Sequence, residues 1–445
     1  MEFGKHLKKG FWGLADKSLP AIYGLGFVLL VIRVLPKEEF GTYVLIQNLF
    51  LLLVAAGTSF ALQPMVKYAA ETDDITEIAS TGNWMYIAFV LFSGIIVVTT
   101  KNLLAETFQI PSFASLAWYL PLMLFVSIAR NVLLYLFQSK LQIRQMFYVN
   151  VVYYLGSLLL IAFAFQFPKF QTAEIMLVIN TITLGLSSVI AFAFAIRTFS
   201  FLLVRNMMRI KFAKIETLKF WNYGKYSFGA TAIYTFYTQA DSYIIASFLG
   251  PVSVALYNAA KIFTRVYDAV LQISFTFIVP ASSKFSSQGD EKSLTALAEK
   301  SIFFFTTAVA IFSLGLFLFA PEVLAFLYQG KYSDAIPLLR ALSLSGIFIP
   351  LLGISASFLA GTGRVKEFFL ATLFNTLFAI VLYSMSSKLF GVHGVALSNI
   401  LISLEMAASY TYAIIRFGKL KMRWSGVLLR YRDGQSFLRK WLFNR

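Results

Sequence analysis

The sequence contains no cysteine, which excludes disulfides, thiolate metal sites and cysteine nucleophiles together. It has two histidines, His6 and His393, too few to form a metal cluster alone. Charge is scarce as well: Asp, Glu, Lys and Arg make up 13% of its 445 residues, against about 25% in soluble domains. Apolar residues reach 58%. A chain with so few polar side chains cannot cover a water-facing surface, so a soluble globular protein is excluded.

What is present is apolar and long. Residues 40–66, 78–100, 107–129, 145–168, 175–196, 301–321 and 341–363 carry no charge, and each run can cross about 30 Å of hydrocarbon as a helix. Charge-poor stretches at 10–34, 222–249, 253–280, 366–388 and 393–415 complete a predicted set of twelve. The expected fold is an all-α membrane protein. The first stretch runs past signal-peptide length without a small-residue cleavage site, and is expected to stay as a span.

The 38 basic residues fix an orientation. With a cytoplasmic amino terminus, twenty-six lie on inside segments: Lys5, Lys8, Lys9, Lys67, Lys140, Arg144, six from Arg197 to Lys219, Lys284, Lys292, Lys300, Arg364, Lys366 and nine from Arg416 onward. Five, Lys37, Lys101, Lys169, Lys331 and Lys388, lie on outside turns. That asymmetry places both termini inside. The net charge of +17 is therefore a property of loops and tail that face anionic headgroups, and nucleic acid is not an expected partner.

The longest inside loop, near Arg197 to Phe220, divides six predicted spans from six. Shifting the chain by 214 residues lays LPKEEFGTY, Leu35 to Tyr43, over LGPVSVALY, Leu249 to Tyr257, with both leucines and both tyrosines coincident. A weaker match sets Gln142 to Asn150 beside Arg364 to Asn375. An even number of spans per half makes the halves parallel repeats. The expected organisation is an N-lobe at 1–210, a C-lobe at 211–418, pseudo-symmetric about a central cavity, and a basic cytoplasmic tail at 419–445. No connection is long enough to house an extramembrane catalytic domain.

PKEEFGTY, QADSYIIASFLGPVSVALYNAAKIF from Gln239 to Phe263, LAGTGRVKEFF from Leu359 to Phe369 and FGVHGVALSNI from Phe390 to Ile400 resemble the polysaccharide transporter family, the Wzx-type oligosaccharide flippases of the multidrug/oligosaccharidyl-lipid/polysaccharide exporter superfamily. The likeness covers nearly the whole chain. It departs at Pro36 and Ala255, where the family's turns usually carry Gly. The resemblance implies a non-enzymatic, alternating-access transporter in a bacterial inner membrane. It also implies a substrate, an isoprenoid (undecaprenyl) diphosphate carrying a short oligosaccharide for surface polysaccharides such as O-antigen, and polymerase machinery as a partner.

Charged groups inside spans cost about 2.5 to 3.5 kcal/mol each on insertion scales and mark candidate sites. Tyr257, Lys261, Arg265, Asp268 and Gln272 recur at helical spacing, which predicts one polar face in the eighth helix. Lys261 and Arg265 suit an anionic diphosphate, because an arginine fork binds phosphate oxygens at two points. Arg130 in the fourth helix, Arg33 and Lys67 are further substrate-binding candidates, although Arg33 and Lys67 can also snorkel to an interface. Asp16 and Lys17, adjacent on the first helix, are read as structural.

Asp241, Asp268 and Glu405 are the candidate ion-coupling or gating carboxylates, with a proton or sodium ion as coupling ion and no other cofactor. Asp241 and Lys261 fall at similar depth on successive helices, which predicts an ion pair or a partner switch. Pro20, Gly24 and Gly26, Pro121 and Pro350 predict bends. Tyr234, Tyr237, Tyr243 and Tyr257 are candidates for stacking on sugars.

Two other classes fit the sequence less well. A drug or small-cation exporter favours an acidic cavity, whereas interior bases (Lys17, Arg33, Arg130, Lys225, Lys261, Arg265 and Arg340) outnumber interior acids (Asp16, Asp241, Asp268 and Glu405). A membrane glycosyltransferase or polymerase needs a long outside loop, which is absent.

Overall fold

The computed structural model describes residues 2–72, 74–209 and 214–417. The basic tail at 419–445 lies outside them. Every element among the described residues is helical: α1 (Glu2–Phe27), α2 (Lys37–Gly57), α3 (Gln63–Ala70), α4 (Thr76–Thr107), α5 (Phe113–Leu116), α6 (Tyr119–Val126), α7 (Ile128–Ser139), α8 (Ile143–Ala164), α9 (Ala173–Phe199), α10 (Phe201–Met207), α11 (Lys214–Lys261), α12 (Arg265–Ser287), α13 (Glu291–Leu318), α14 (Ala320–Tyr328), α15 (Ile336–Gly346), α16 (Ile349–Gly361) and α17 (Val365–Phe417), joined by short 3-10 and π turns. In hydrocarbon every backbone amide must be paired within its own segment, which is why apolar runs fold only this way.

Nine helical stretches among the described residues are long and apolar enough to cross a membrane, or ten if the bent pair Ser333–Gly346 and Ile349–Gly361 is one span. Two of the nine are too long for one crossing. Glu216–Ser287 has 72 residues and would run about 108 Å if straight, against about 30 Å of hydrocarbon. It is interrupted at Gly250 (φ 75°, ψ −178°), and Lys366–Arg416 is interrupted at Gly391 (φ 61°, ψ −151°). Only glycine adopts such backbone without steric cost. These two turns are therefore single residues.

Of the predicted bends, the structure shows one, at Pro350; Pro121 and Pro20 lie inside helices. The tenth predicted span bends by 40° just before Pro350, whose ring begins α16. The fourth is split into α5, α6 and α7, with Pro121 inside α6. Pro20 lies inside α1, which passes into a π turn at Val28–Ile32. Where helices start at turns, their free N–H groups are capped: Thr172 accepts from the Ile175 amide, Glu39 takes the Ala173 amide at 2.6 Å, and Asp290 takes the Ser293 amide at 3.0 Å.

By contacts the chain forms two compact units, Met1–Ala255 and Leu256–Arg445. In the first, the limb of α11 before Gly250 lies along the preceding helices. A Cβ on Gly224 would overlap the Phe60 carbonyl, and Phe60 meets Trp221 and Phe228 edge-on. At the other end, a Cβ on Gly41 would overlap the Pro251 carbonyl oxygen. There Gln109 Nε2 donates to the Ser247 carbonyl at 3.0 Å, and Phe108 stacks on Tyr243. In the second unit, α12 packs on α16, and Gly346 leaves room for the ring of Tyr267.

A tyrosine–asparagine hydrogen bond occurs in each unit. In the first unit Asn180 Nδ2 donates to Tyr43 Oη at 2.9 Å. In the second, Asn399 Nδ2 donates to Tyr257 Oη at 2.9 Å. Tyr43 and Tyr257 are the two tyrosines that coincide on a shift of 214, and both rings are buried.

Candidate functional site

The first unit holds a polar network drawn from six of its predicted spans. Its centre is Arg130 on α7. Nη2 donates to Asn150 Oδ1 on α8 at 2.6 Å, Nη1 reaches Asn131 Oδ1 at 3.4 Å, and the guanidinium lies 4.8 Å from the Tyr153 ring centroid. Nε is shut off from solvent without a hydrogen-bond partner among the described residues. Asn150 passes the contact on, its Nδ2 donating to Asp16 Oδ1 on α1 at 2.7 Å.

Around this chain of contacts sit neutral polar groups. Asn131 Nδ2 donates to Tyr86 Oη at 2.9 Å and to Ser127 Oγ at 3.2 Å. The Tyr153 hydroxyl is bonded to Gln47, which also accepts from Asn180 at 3.2 Å. Asn180 closes on Tyr43 through the repeated bond, and its own Oδ1 is buried without a partner among the described residues. The network thus runs from Tyr43 near the start of α2 to Asp16 on α1.

Its electrostatics depend on which groups are charged. The guanidinium is held by two neutral amides and a ring, while the Asp16 carboxylate is separated from it by the whole length of Asn150. A cation whose compensation is one amide away keeps much of its field. The Arg130 Nε–H is the donor left without a partner among the described residues, while the electron-rich face of Tyr153 stabilises the cation itself. Asp16, read from sequence as structural, is the carboxylate of this network. Adjacency to Lys17 gave no sign of that, since contact with Asn150 depends on tertiary packing.

The second unit holds an acidic counterpart on α17. Glu405 Oε2 is buried without a hydrogen-bond partner among the described residues, and so is Asn375 Nδ2. Ser409, one turn beyond Glu405, bonds to it and donates to Asn375 Oδ1 at 3.1 Å. Thr372 and Tyr410 share a hydrogen bond of 2.7 Å beside them. Glu405 therefore stands among neutral oxygens and amides.

The predicted stripe on the eighth helix is not one continuous face. The helix tightens into a 3-10 turn at Ile262–Thr264, which rotates the residues of α12 out of register with those before Lys261. Tyr257 is 0% exposed, its hydroxyl held by Asn399, and Lys261 Nζ lies 5.9 Å from its ring centroid. Arg265, Asp268 and Gln272 are exposed along α12. Lys261 stands at the step between the two environments.

The remaining candidates are dispersed. Asp241 is buried on α11 and accepts from the Ser242 amide at 2.6 Å. Arg33 closes the π turn after α1 and is half-buried. Lys67, exposed on α3, lies 5.1 Å and 5.2 Å from the Tyr68 and Tyr223 centroids. Tyr243 is buried between Phe108 and Phe236, whereas Tyr234 is 53% exposed and Tyr237 half-buried. No group of three or more His, Asp or Glu that could hold a metal ion occurs among the described residues. Asn131, Asn150, Asn180 and Gln47 are site residues that sequence reasoning did not find. The one sequence signal for any of them is an Asn in each of two matching inside-loop helices, at 150 and 375.

A family model described as "Polysaccharide biosynthesis protein" matches residues 30–337. An uncharacterized membrane protein of Methanocaldococcus jannaschii is 24% identical over 187 residues, 42% of this chain. The match spans 43% of that relative's length. Among solved structures, an inward-facing multidrug resistance MATE family transporter of the MOP superfamily has a TM-score of 0.75 at 15% identity, over 92% of this chain and 98% of its own. The lipid II flippase MurJ, in an inward closed conformation, has a TM-score of 0.73 at 14% identity, covering 94% and 89%. A MOP superfamily transporter from Pyrococcus furiosus, reported for the reverse polarity of its binding pocket, has a TM-score of 0.59 at 16% identity, covering 94% and 96%.

Proposed function

This chain belongs to the polysaccharide biosynthesis protein family, and we propose that it is the flippase moving an isoprenoid (undecaprenyl) diphosphate-linked oligosaccharide from the cytoplasmic to the outer leaflet by alternating access. It is a multi-pass α-helical membrane protein with a transporter fold. We place it in a bacterial inner membrane with both termini cytoplasmic. Counting the bent pair as one span and a crossing on each side of Gly250 and Gly391 supports the proposed twelve spans, which we assign to lobes at 1–210 and 211–418.

The observation that carries this reading is Arg130, an interior guanidinium whose hydrogen bonds go to neutral amides and whose Nε is unpartnered. A diphosphate offers the oxygens such a group binds. Arg265 and Lys261 supply two further cations on the second lobe, with Arg33 and Lys67 as minor contributors. Net positive charge in the interior is what an anionic headgroup needs and what a small-cation exporter lacks.

Glu405 is the proposed coupling carboxylate, with Asp241 and Asp268 as secondary candidates. Its buried oxygen and the Asn375 and Ser409 groups beside it give a proton or sodium ion a place to change the charge of the second lobe. Anionic lipids along the basic loops and a polysaccharide polymerase are the proposed partners.

The test is deletion of the gene in its host, followed by lipid extraction and mass spectrometry. Accumulation of an isoprenoid diphosphate oligosaccharide, relieved by the wild-type gene but not by Arg130→Ala or Arg265→Ala, is the expected result. Intact surface glycan with no accumulation overturns the reading and moves the chain to the small-molecule exporters.

A further inference from the structure

The first unit carries a groove of about 320 Å³ between α4 and α6, lined by none of the residues of the polar network. Its walls are apolar: Leu91, Ile95, Trp118 and Phe125 are 54%, 63%, 52% and 61% exposed. The floor is the notch at Gly94, where a Cβ would stand 3.3 Å from Pro121 Cβ. Thr99, the polar residue of the lining, spends its hydroxyl on the Ile95 and Ile96 carbonyls of its own helix. Nothing in the wall asks for a polar guest.

Two measures identify the occupant. Along α4 the lining runs from Val90 to Thr99, about 14 Å of helix, close to the roughly 15 Å of one leaflet's hydrocarbon. At the open end, two residues past Thr99, Lys101 Nζ sits 4.6 Å from the centroid of the Trp118 ring that lines the groove. A cation held by an aromatic face at interface depth, above an apolar slot one leaflet long, matches an anionic headgroup above an acyl chain.

We propose that the α4–α6 groove is a binding site for one anionic glycerophospholipid, its acyl chain lying over Gly94 and its phosphate on Lys101. With both termini cytoplasmic this is an outer-leaflet site. The inference is independent of the transported substrate, because none of these residues belongs to the polar network or to the stripe on α12. The bound lipid fills the notch left by Gly94 and Pro121, and so braces α6 against α4.

The experiment uses full-length protein, delipidated in detergent and titrated with phosphatidylglycerol or phosphatidylcholine of matched chains, with retained lipid read by native mass spectrometry. Wild type is expected to keep one phosphatidylglycerol with about fivefold preference, the factor that about 1 kcal/mol per basic residue gives. Lys101→Gln keeps a lipid and loses the preference. Gly94→Leu, and independently Leu91→Trp on the exposed wall, lose the lipid of either headgroup while melting, delipidated, as delipidated wild type does. Equal retention by both filled variants overturns the site, as does an unchanged preference in Lys101→Gln. Displacement by undecaprenyl phosphate and not by phosphatidylglycerol assigns the groove to an isoprenoid chain and overturns it too.

Discussion

Arg130 and Glu405 pose the same physical question with opposite signs of charge: how an ionisable side chain is kept inside a helical bundle. Arg130 is kept by amides and aromatic faces, and removing its partners should be nearly as harmful as removing the guanidinium. We expect Arg130→Ala and Asn150→Ala each to lower flipping in reconstituted vesicles by about tenfold or more, since hydrogen bonds to charged groups are worth about 1.5 to 3 kcal/mol. Arg130→Lys recovers only part, because an ammonium cannot span Asn131 and Asn150. Lys67→Ala, on an exposed cation over two rings, changes the rate by less than about threefold. Glu405→Gln removes a charge without changing shape, so transport driven by an imposed ion gradient should fall to the undriven rate while substrate binding by calorimetry is kept. Retained gradient dependence in that variant moves the coupling role to Asp241 or Asp268.

At the scale of the element, what could be read from the sequence was the apolar run and the bend before Pro350. The runs at 78–100 and 175–196 lie inside α4 and α9, because absence of charge over a bilayer's thickness leaves a chain no other structure. The eighth helix reads as one face in the sequence, and the step at Ile262–Thr264 spoils that face. A 3-10 turn of three residues has no composition that marks it. Likewise the polar network was illegible beyond Arg130. Asn and Gln in an apolar helix are common enough that only tertiary packing tells which of them meet. Gly41 is the element-scale test: its missing side chain lets the turn after Gly250 lie against the start of α2. Gly41→Val should prevent that seating. Hydrogen exchange of the α11 amides around Ser247 and of the Gln109 loop should rise together in the variant, and equal protection in both proteins would remove this role from Gly41.

For the whole molecule, the absence of cysteine makes the orientation directly measurable, since any introduced thiol is unique. Ser112→Cys, in the turn between α4 and α5, should react in intact cells with an impermeant maleimide. Ser286→Cys, in the last turn of α12, should react only after permeabilisation. The reverse pattern would invert the topology, and the leaflet assigned to the groove with it.

The Tyr43–Asn180 and Tyr257–Asn399 bonds occur in a molecule whose halves otherwise share little sequence. Two copies of one contact in one chain form an internal control: the same atom can be deleted from either copy, in the same protein and the same bilayer. The surroundings differ: Asn180 Nδ2 also donates to Gln47, and Asn399 Nδ2 to the Val395 carbonyl of its own helix. Asn399 Oδ1 accepts from Tyr383 at 2.8 Å, whereas Asn180 Oδ1 is unpartnered among the described residues. Tyr43→Phe and Tyr257→Phe therefore compare an under-satisfied copy with a satisfied one, around a typical interhelical value of about 0.6 kcal/mol. Unfolding measured in bicelles should cost more for Tyr257→Phe, whose acceptor oxygen completes a fully engaged amide. One chain thus offers the same hydrogen bond in two settings, so that each setting is read against the other without changing the protein.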